Sequence, residues 1–215
     1  MKGVIYPGVF ITLEGGEGSG KSVLCQRLAR LFKRRALVTR EPGGTAVADK
    51  IRKILLVPSS EKIAPLTELL LYSAARAQHL QQKIIPALKK GKIVFCDRFT
   101  DATVAYQAYG RGLGLSLIQQ CNQIATLGLK PDLTFLLDCP PEVGLKRARR
   151  RFQRQRGKKE DRLEREKISF HRRVRQGYLK LARAEKKRFQ IVDAQQEETV
   201  VFKKIVEGLK AYEIL

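Results

Sequence analysis

Residues 15–22 run Gly-Gly-Glu-Gly-Ser-Gly-Lys-Ser, a full match to the pattern GxxxxGK[ST]. The glycines let successive backbone N–H groups turn inward around an anion, and a helix starting at the lysine adds its positive end. The pattern requires a strand before it and a helix after it. Both are predicted: 9–13 is a short apolar run, and 22–33 repeats apolar residues at helical spacing (Leu24, Leu28, Leu31, Phe32). In such a loop Gly15, Gly16, Glu17, Gly18, Ser19 and Gly20 wrap nucleotide phosphates. Lys21 places a point charge on the β- and γ-phosphates, and the Ser22 hydroxyl is a hard oxygen suited to Mg2+.

The rest of the chain continues the alternation. Short apolar strands are expected at 36–39, 93–96, 133–137 and 189–192. Helical spacing covers 47–57, 66–90 with a bend near Pro86, 102–109, 115–127, a segment after Pro140-Pro141, 163–187 and 198–209. Strands alternating with helices build βαβ units, hence an α/β fold with a five-stranded parallel sheet and helices on both faces. With 215 residues and no Ser/Pro-rich linker, 1–215 is expected to form a single domain. Hydrophobic residues at 43% argue against disorder, and no apolar run reaches the length of a membrane span. Lys2 is the only N-terminal charge and Pro7-Gly8 interrupt the short apolar stretch, so no signal peptide is expected. Cys25, Cys96, Cys121 and Cys139 form no CxxC, which predicts reduced, buried thiols in a cytoplasmic protein.

Lys and Arg number 43 against 21 Asp and Glu, a formal net charge of +22 that implies an anionic partner. Half of that excess lies in 145–175, where 15 basic residues face 4 acidic ones. Within it Arg154-Gln155-Arg156-Gly157-Lys158-Lys159 lacks apolar periodicity, so a lid is expected over about 149–162. Two classes fit: a small phosphoryl-transfer kinase, or an ATPase acting on nucleic acid. The compact chain and the Arg-rich lid favour the kinase. A nucleic-acid surface would interleave aromatics with the charge, and Phe152 is the only aromatic between Arg149 and Lys167.

A phosphate loop needs a metal-positioning acid at the end of a neighbouring strand. Asp97 and Asp138 both qualify, although Asp138 before Pro140-Pro141 also suits a helix cap. Tyr72 and Arg76, four apart on one helix, share a face and offer a plate and a donor fork suited to a planar base. A core tyrosine beside a surface arginine has the same spacing. His79 and His171 form no catalytic pair, His171 standing in a basic surface stretch.

The stretches FITLEGGEGSGKS at 10–22, TREPGGT at 39–45, LLLYSAARAQ at 69–78, CDRFTDATVAYQAYGRG at 96–112, KPDLTFLLDCPPEVGLKRAR at 130–149 and EDRLERE at 160–166 together resemble the bacterial thymidylate kinase (dTMP kinase) family over nearly the whole chain. The resemblance implies transfer of the ATP γ-phosphoryl group to dTMP with Mg2+, by a homodimer. It implies that Glu17 faces the sugar and the metal's water shell, and that Arg98, Arg52 and the Glu41-Pro42 turn position the acceptor phosphate. Tyr72 would stack on thymine, Arg76 would bond its O4, Thr103 and Gln107 would reach the base edge, and Tyr106 would lie under the deoxyribose. Asp97 becomes the metal-side acid, and Asp161 and Glu164 match the acidic pair after the lid.

One branch of that family carries a basic residue in the loop just after the acidic one; here the position is Gly18. The other branch supplies the cation from the lid, which points to Arg149 and Arg151, with Arg154 and Arg156 behind. On this reading an arginine at position 18 would partly replace a lost lid arginine. Ala102 and Phe99 depart from the usual serine and Tyr or His, and the lid looks several residues longer than usual. Nothing in the family accounts for the basic excess, which fits weak nucleic-acid binding, an acidic partner or compositional drift; nucleic acid is not expected as a partner beyond such weak binding.

Overall fold

Five parallel strands carry the chain in the order β2-β3-β1-β4-β5. In the computed structural model, which describes residues 6–154 and 161–214, these are β1 (Val9–Glu14), β2 (Ala36–Arg40), β3 (Ile93–Asp97), β4 (Leu133–Asp138) and β5 (Phe189–Asp193). The central strands are apolar on both faces because helices cover both. Ile11, Leu13, Phe95, Phe135 and Leu137 pack against Leu24 and Leu28 of α1 (Lys21–Phe32) and Val201, Ile205 and Leu209 of α9 (Glu198–Ala211). On the other face Phe10, Val94 and Cys96 pack against Leu80, Ile84 and Leu88, while Leu136 meets Phe170, Val174 and Tyr178 of α8 (Ile168–Ala184). Thr12 and Thr134 share a hydroxyl bond of 2.8 Å there, so polar atoms in adjacent strands satisfy each other.

The expected architecture is the one found, with local differences. The long helix begins at Pro65 and runs as α3 (Pro65–His79); it widens into π-helical turns over Leu80–Ile84 before α4 (Ile85–Lys89), one turn earlier than the bend expected at Pro86. The proline sits instead at the start of α4, where its missing N–H costs nothing. After β3 comes a short α5 (Thr100–Thr103) and a π-helical stretch Val104–Gly110, where a plain helix was expected. The remaining helices are α2 (Ala46–Leu56), α6 (Leu115–Thr126) and α7 (Pro141–Arg154). Residues 161–166 form turns, so α8 starts five residues later than the spacing indicated.

The phosphate loop, at the end of central β1, lies against α7. A Cβ on Gly18 (φ +66°) would stand 2.7 Å from the Gly144 carbonyl carbon, and one on Gly144 would run into the Glu17 carbonyl oxygen. The expectation that an arginine at position 18 could replace a lid arginine is therefore overturned: backbone occupies the space its side chain would need. Gly18→Arg should cost roughly 2 kcal/mol or more from the left-handed backbone alone. In a thermal melt that lowers Tm by about 4 °C or more. In an Arg151→Ala background it should restore no turnover in an ADP-release assay.

Candidate active site

Lys21 is buried, and its ammonium donates to the Gly15 and Gly16 carbonyls (3.1 and 2.7 Å) and to Ser19 Oγ (3.0 Å). Burial, helped by Arg98, brings its pKa down to about 8. Ser22 Oγ donates to Asp97 Oδ2 at 2.5 Å, so two hard oxygens from α1 and β3 stand together at the loop. This hydroxyl–carboxylate pair fits Mg2+, which takes few protein ligands and completes its shell with phosphates and water. Of the two candidate acids, Asp97 is at the loop. Asp138 is instead clamped bidentately by Arg175 at 2.7 and 2.8 Å.

Arg98 follows β3 with φ +72°, a conformation that points its side chain back over the loop. One Nη donates to the Gly15 carbonyl (2.9 Å) and to Tyr178 Oη (3.1 Å), the other to Glu17 Oε1 (2.6 Å). Its guanidinium lies 4.9 Å from the Tyr106 ring centre, and Tyr106 Oη donates to the same Glu17 oxygen at 2.7 Å. Burial would raise the Glu17 pKa, but Arg98 and Lys21 outweigh it and hold the carboxyl at about 2.

A cleft continues from the loop to the residues expected on the acceptor side: Glu41, Pro42, Arg52, Tyr72, Arg76, Thr103, Tyr106 and Gln107 all line it. Arg76 is no surface residue; it is 2% exposed and fixed by Glu41 Oε2 (2.7 Å), Asn122 Oδ1 (2.9 Å) and the Phe99 carbonyl (3.0 Å). Arg52 donates to the Pro42 carbonyl at 2.7 Å and so braces the turn after β2. Thr103 Oγ1 is buried with no hydrogen-bond partner, a polar atom left for a ligand.

On the lid side the cleft is lined by Arg151, Asp161, Leu163 and Glu164. Arg151 Nη2 approaches Glu164 Oε1 at 3.3 Å. Arg149 stands on an exposed position of the same helix. The Arg154 side chain and Arg156 lie outside the described residues, as does the stretch 155–160 of the expected lid. Asp161 caps the turn that follows, accepting from the Leu163 and Glu164 amides at 2.9 Å. Burial and the carboxylates Asp161 and Glu17 push Glu164 up to about 7.

Several site-building residues carried no readable signal. Glu14, fully buried at the end of β1, accepts from the Phe99 amide (2.7 Å) and Tyr178 Oη (2.8 Å), and burial pushes its pKa up to about 8. His79 is buried between Glu41 (3.0 Å) and Thr39 (2.6 Å), holding the carboxylate that holds Arg76. His171, expected on the surface, is 4% exposed in α8 with an unpartnered Nε2, because it lies on the inward face with Phe170 and Val174. Each is an ordinary residue in an element whose helical or strand period was legible; only the packing gives it a role.

A parallel sheet with a phosphate loop on its central strand, a hydroxyl–carboxylate pair beside it and a second subsite in the same cleft define a nucleotide-phosphorylating P-loop kinase. Known proteins narrow the class. The thymidylate kinase family model matches residues 13–205. The thymidylate kinase of Geobacter sp. (strain M21) is 56% identical over 190 residues, covering 86% of this chain and 84% of that protein. That of Geotalea daltonii is 58% identical over 192 residues, covering 86% and 89%. The crystal structure of thymidylate kinase from Ehrlichia chaffeensis superposes with a TM-score of 0.74 at 31% identity, covering 94% of this chain and 98% of that one. The chain belongs to the thymidylate kinase family.

The raised Glu14 pKa makes stability pH-dependent. An acid whose folded pKa is above its unfolded value stabilises fully below the unfolded pKa, near 4.5, and loses that contribution as pH rises through about 8. Glu164, at about 7, acts in the same direction. The melting temperature should therefore fall between pH 5 and 8, and Glu14→Gln should flatten that fall by several degrees. Parallel melts of the two proteins across this range check it; equal slopes would contradict the assignment.

Proposed function

We propose that this chain transfers the γ-phosphoryl group of ATP to dTMP, giving dTDP and ADP. The observation that carries the reading is the single cleft in which Lys21 and Ser22 stand at one end and Tyr72, Arg76 and Gln107 at the other. A donor phosphate on the loop and an acceptor nucleotide beyond it would meet beside Arg98.

Phosphoryl transfer asks for alignment and for cations around the moving group rather than for covalent help. The loop amides and Lys21 bind the donor's phosphates. Ser22 and Asp97 would hold Mg2+, which when bound neutralises charge on the donor phosphate oxygens. Arg98, pinned by Glu17 and Gly15, holds the acceptor phosphate in line. Glu17, kept ionised, orients Arg98 and Tyr106 together. Tyr72 stacks on the base, Arg76 donates to its O4, and Thr103 and Gln107 complete the base edge. Arg52 with Glu41 and Pro42 shapes the wall behind the acceptor phosphate. Arg151 is the leading source of positive charge on the transferring group, ahead of Arg149, because it lines the cleft. The lid over about 149–162 belongs to one kinase domain spanning 1–215.

We place the enzyme in the cytoplasm, since all four cysteines are free thiols; no helix among the described residues is long and apolar enough to cross a membrane. A homodimer is supported by the adjoining helices α2, α3 and α6, which leave Ile54, Leu70 and Ile124 more than half exposed. Ile124→Asp should then shift the sedimentation coefficient from dimer to monomer.

Lys21→Ala should lower kcat by at least about 100-fold without unfolding the chain, and Arg151→Ala should lower kcat by about 1000-fold or more, as loss of a finger-type arginine does. ADP release measured with dTMP, dUMP, dCMP and dGMP should favour dTMP, by a modest margin over dUMP because one methyl group is worth about 1–3 kcal/mol. Equal efficiency on dTMP and dCMP would replace this reading by a broader nucleoside monophosphate kinase. Stimulation of ATP hydrolysis by a DNA oligomer would replace it by a nucleic-acid ATPase.

A further inference from the structure

Glu68 of α3 is fully buried and touches four donors. Gln107 Nε2 approaches its Oε1 at 2.7 Å, Arg111 reaches both oxygens at 3.2 Å, and Arg162 Nη2 reaches Oε2 at 2.5 Å. Burial alone would raise its pKa, but the bonds and charge of Arg111 overcome it and keep it lowered, so Glu68 is ionised. An ionised carboxylate only accepts hydrogen bonds. The end of the Gln107 amide that faces it must therefore be the NH2 end. Two orientations that an amide ordinarily leaves open are reduced to one by chemistry.

Gln107 is 1% exposed and lines the cleft four residues after Thr103, whose buried Oγ1 has no partner. With its NH2 end turned onto Glu68, the opposite end of the Gln107 amide carries the carbonyl oxygen, an acceptor, toward the cleft. Arg76, on the same wall, offers only donors. A base edge that presents one N–H donor beside one carbonyl acceptor satisfies both. Thymine and uracil do so with N3–H and O4. Cytosine inverts the pair, presenting a bare N3 acceptor and an N4 amino donor, and would meet like against like at both positions.

We infer that Glu68 is a positioning residue for base selection: it never touches the nucleotide, but by fixing the Gln107 amide it makes that position an acceptor and so excludes cytosine. Arg111 and Arg162 keep Glu68 ionised and thereby keep the orientation fixed. Arg162 also donates from Nε to the Leu55 carbonyl and sits next to Asp161, so the same carboxylate ties the base wall to the turn beyond the lid. The inference rests on dTMP being the acceptor.

The test compares kcat/KM for dTMP, dUMP and dCMP in wild type and Glu68→Gln, with melts to check folding. A glutamine at 68 accepts or donates, so the Gln107 amide is free to turn. The dTMP:dCMP ratio should fall at least tenfold. The dTMP:dUMP ratio should stay within twofold, since those bases share N3–H and O4, and KM for ATP should not move. General damage to the wall would move all of these together. Where Glu68→Gln does not fold, Glu68→Asp decides: it keeps the charge between the two arginines but withdraws the carboxylate from the amide, and the same ratio should fall. A folded deciding variant with the wild-type dTMP:dCMP ratio overturns the inference while leaving the dTMP kinase reading intact. A wild type that does not prefer dTMP over dCMP overturns that reading itself.

Discussion

The Arg98–Glu17 ion pair is the contact around which the cleft is assembled. Arg98 leaves the end of β3, yet its donors reach the phosphate loop at Gly15 and Glu17 and α8 at Tyr178, and its flat face covers Tyr106. Three chain stretches far apart in sequence, at 15–17, 98–106 and 178, are thus registered on one guanidinium. A planar fork with several fixed donors can do this where a lysine's single point charge cannot. The backbone accepts a left-handed φ at Arg98 to aim it, a local cost held by the strands on either side.

Glu17 and three buried carboxylates around the cleft each do something different with their charge. Glu17 is driven strongly acidic by the cations it orients. Glu14, one strand position before the loop, has little but a tyrosine hydroxyl and an amide for company and holds its proton to far higher pH. Glu41 spans Arg76 and His79, and Glu68 spans Arg111 and Arg162. Buried ion pairs of this kind are weak sources of net stability because desolvation consumes much of the Coulomb gain. What they supply here is direction: Glu17, Glu41 and Glu68 fix the bearing of Arg98, Arg76 and Gln107, which line the cleft.

Much of the molecule was legible from one sequence. The phosphate loop located β1 and α1, and unbroken apolar strands between amphipathic helices specified a parallel sheet covered on both faces. Spacing offered part of the cleft's lining: Asp97 and Arg98 end a strand beside the loop, and Tyr72 and Arg76 share a helical face, with Asp138 and a core-tyrosine reading left open; Glu41, Pro42, Arg52, Thr103, Tyr106 and Gln107 were implied only by the family resemblance. What stayed hidden depends on packing between distant segments. Periodicity assigns His171 to a helix but not to its buried side, because the surrounding arginines mask an inward stripe of Phe170, Val174 and Tyr178. Glu68 and Glu14 look like any helix or strand acid until their partners, 39 and 85 residues away, are brought to them. The π-helical stretches also escaped, since one extra residue per turn leaves no mark on a short apolar pattern.

The close approach of Gly18 to Gly144 has a consequence for how such enzymes can diverge. Two glycines facing across the loop–helix contact leave room for neither side chain, so the cation proposed to act from α7 cannot be moved to position 18 by one replacement. A variant with an arginine in the loop would first have to lift the helix that carries the arginine it is meant to succeed.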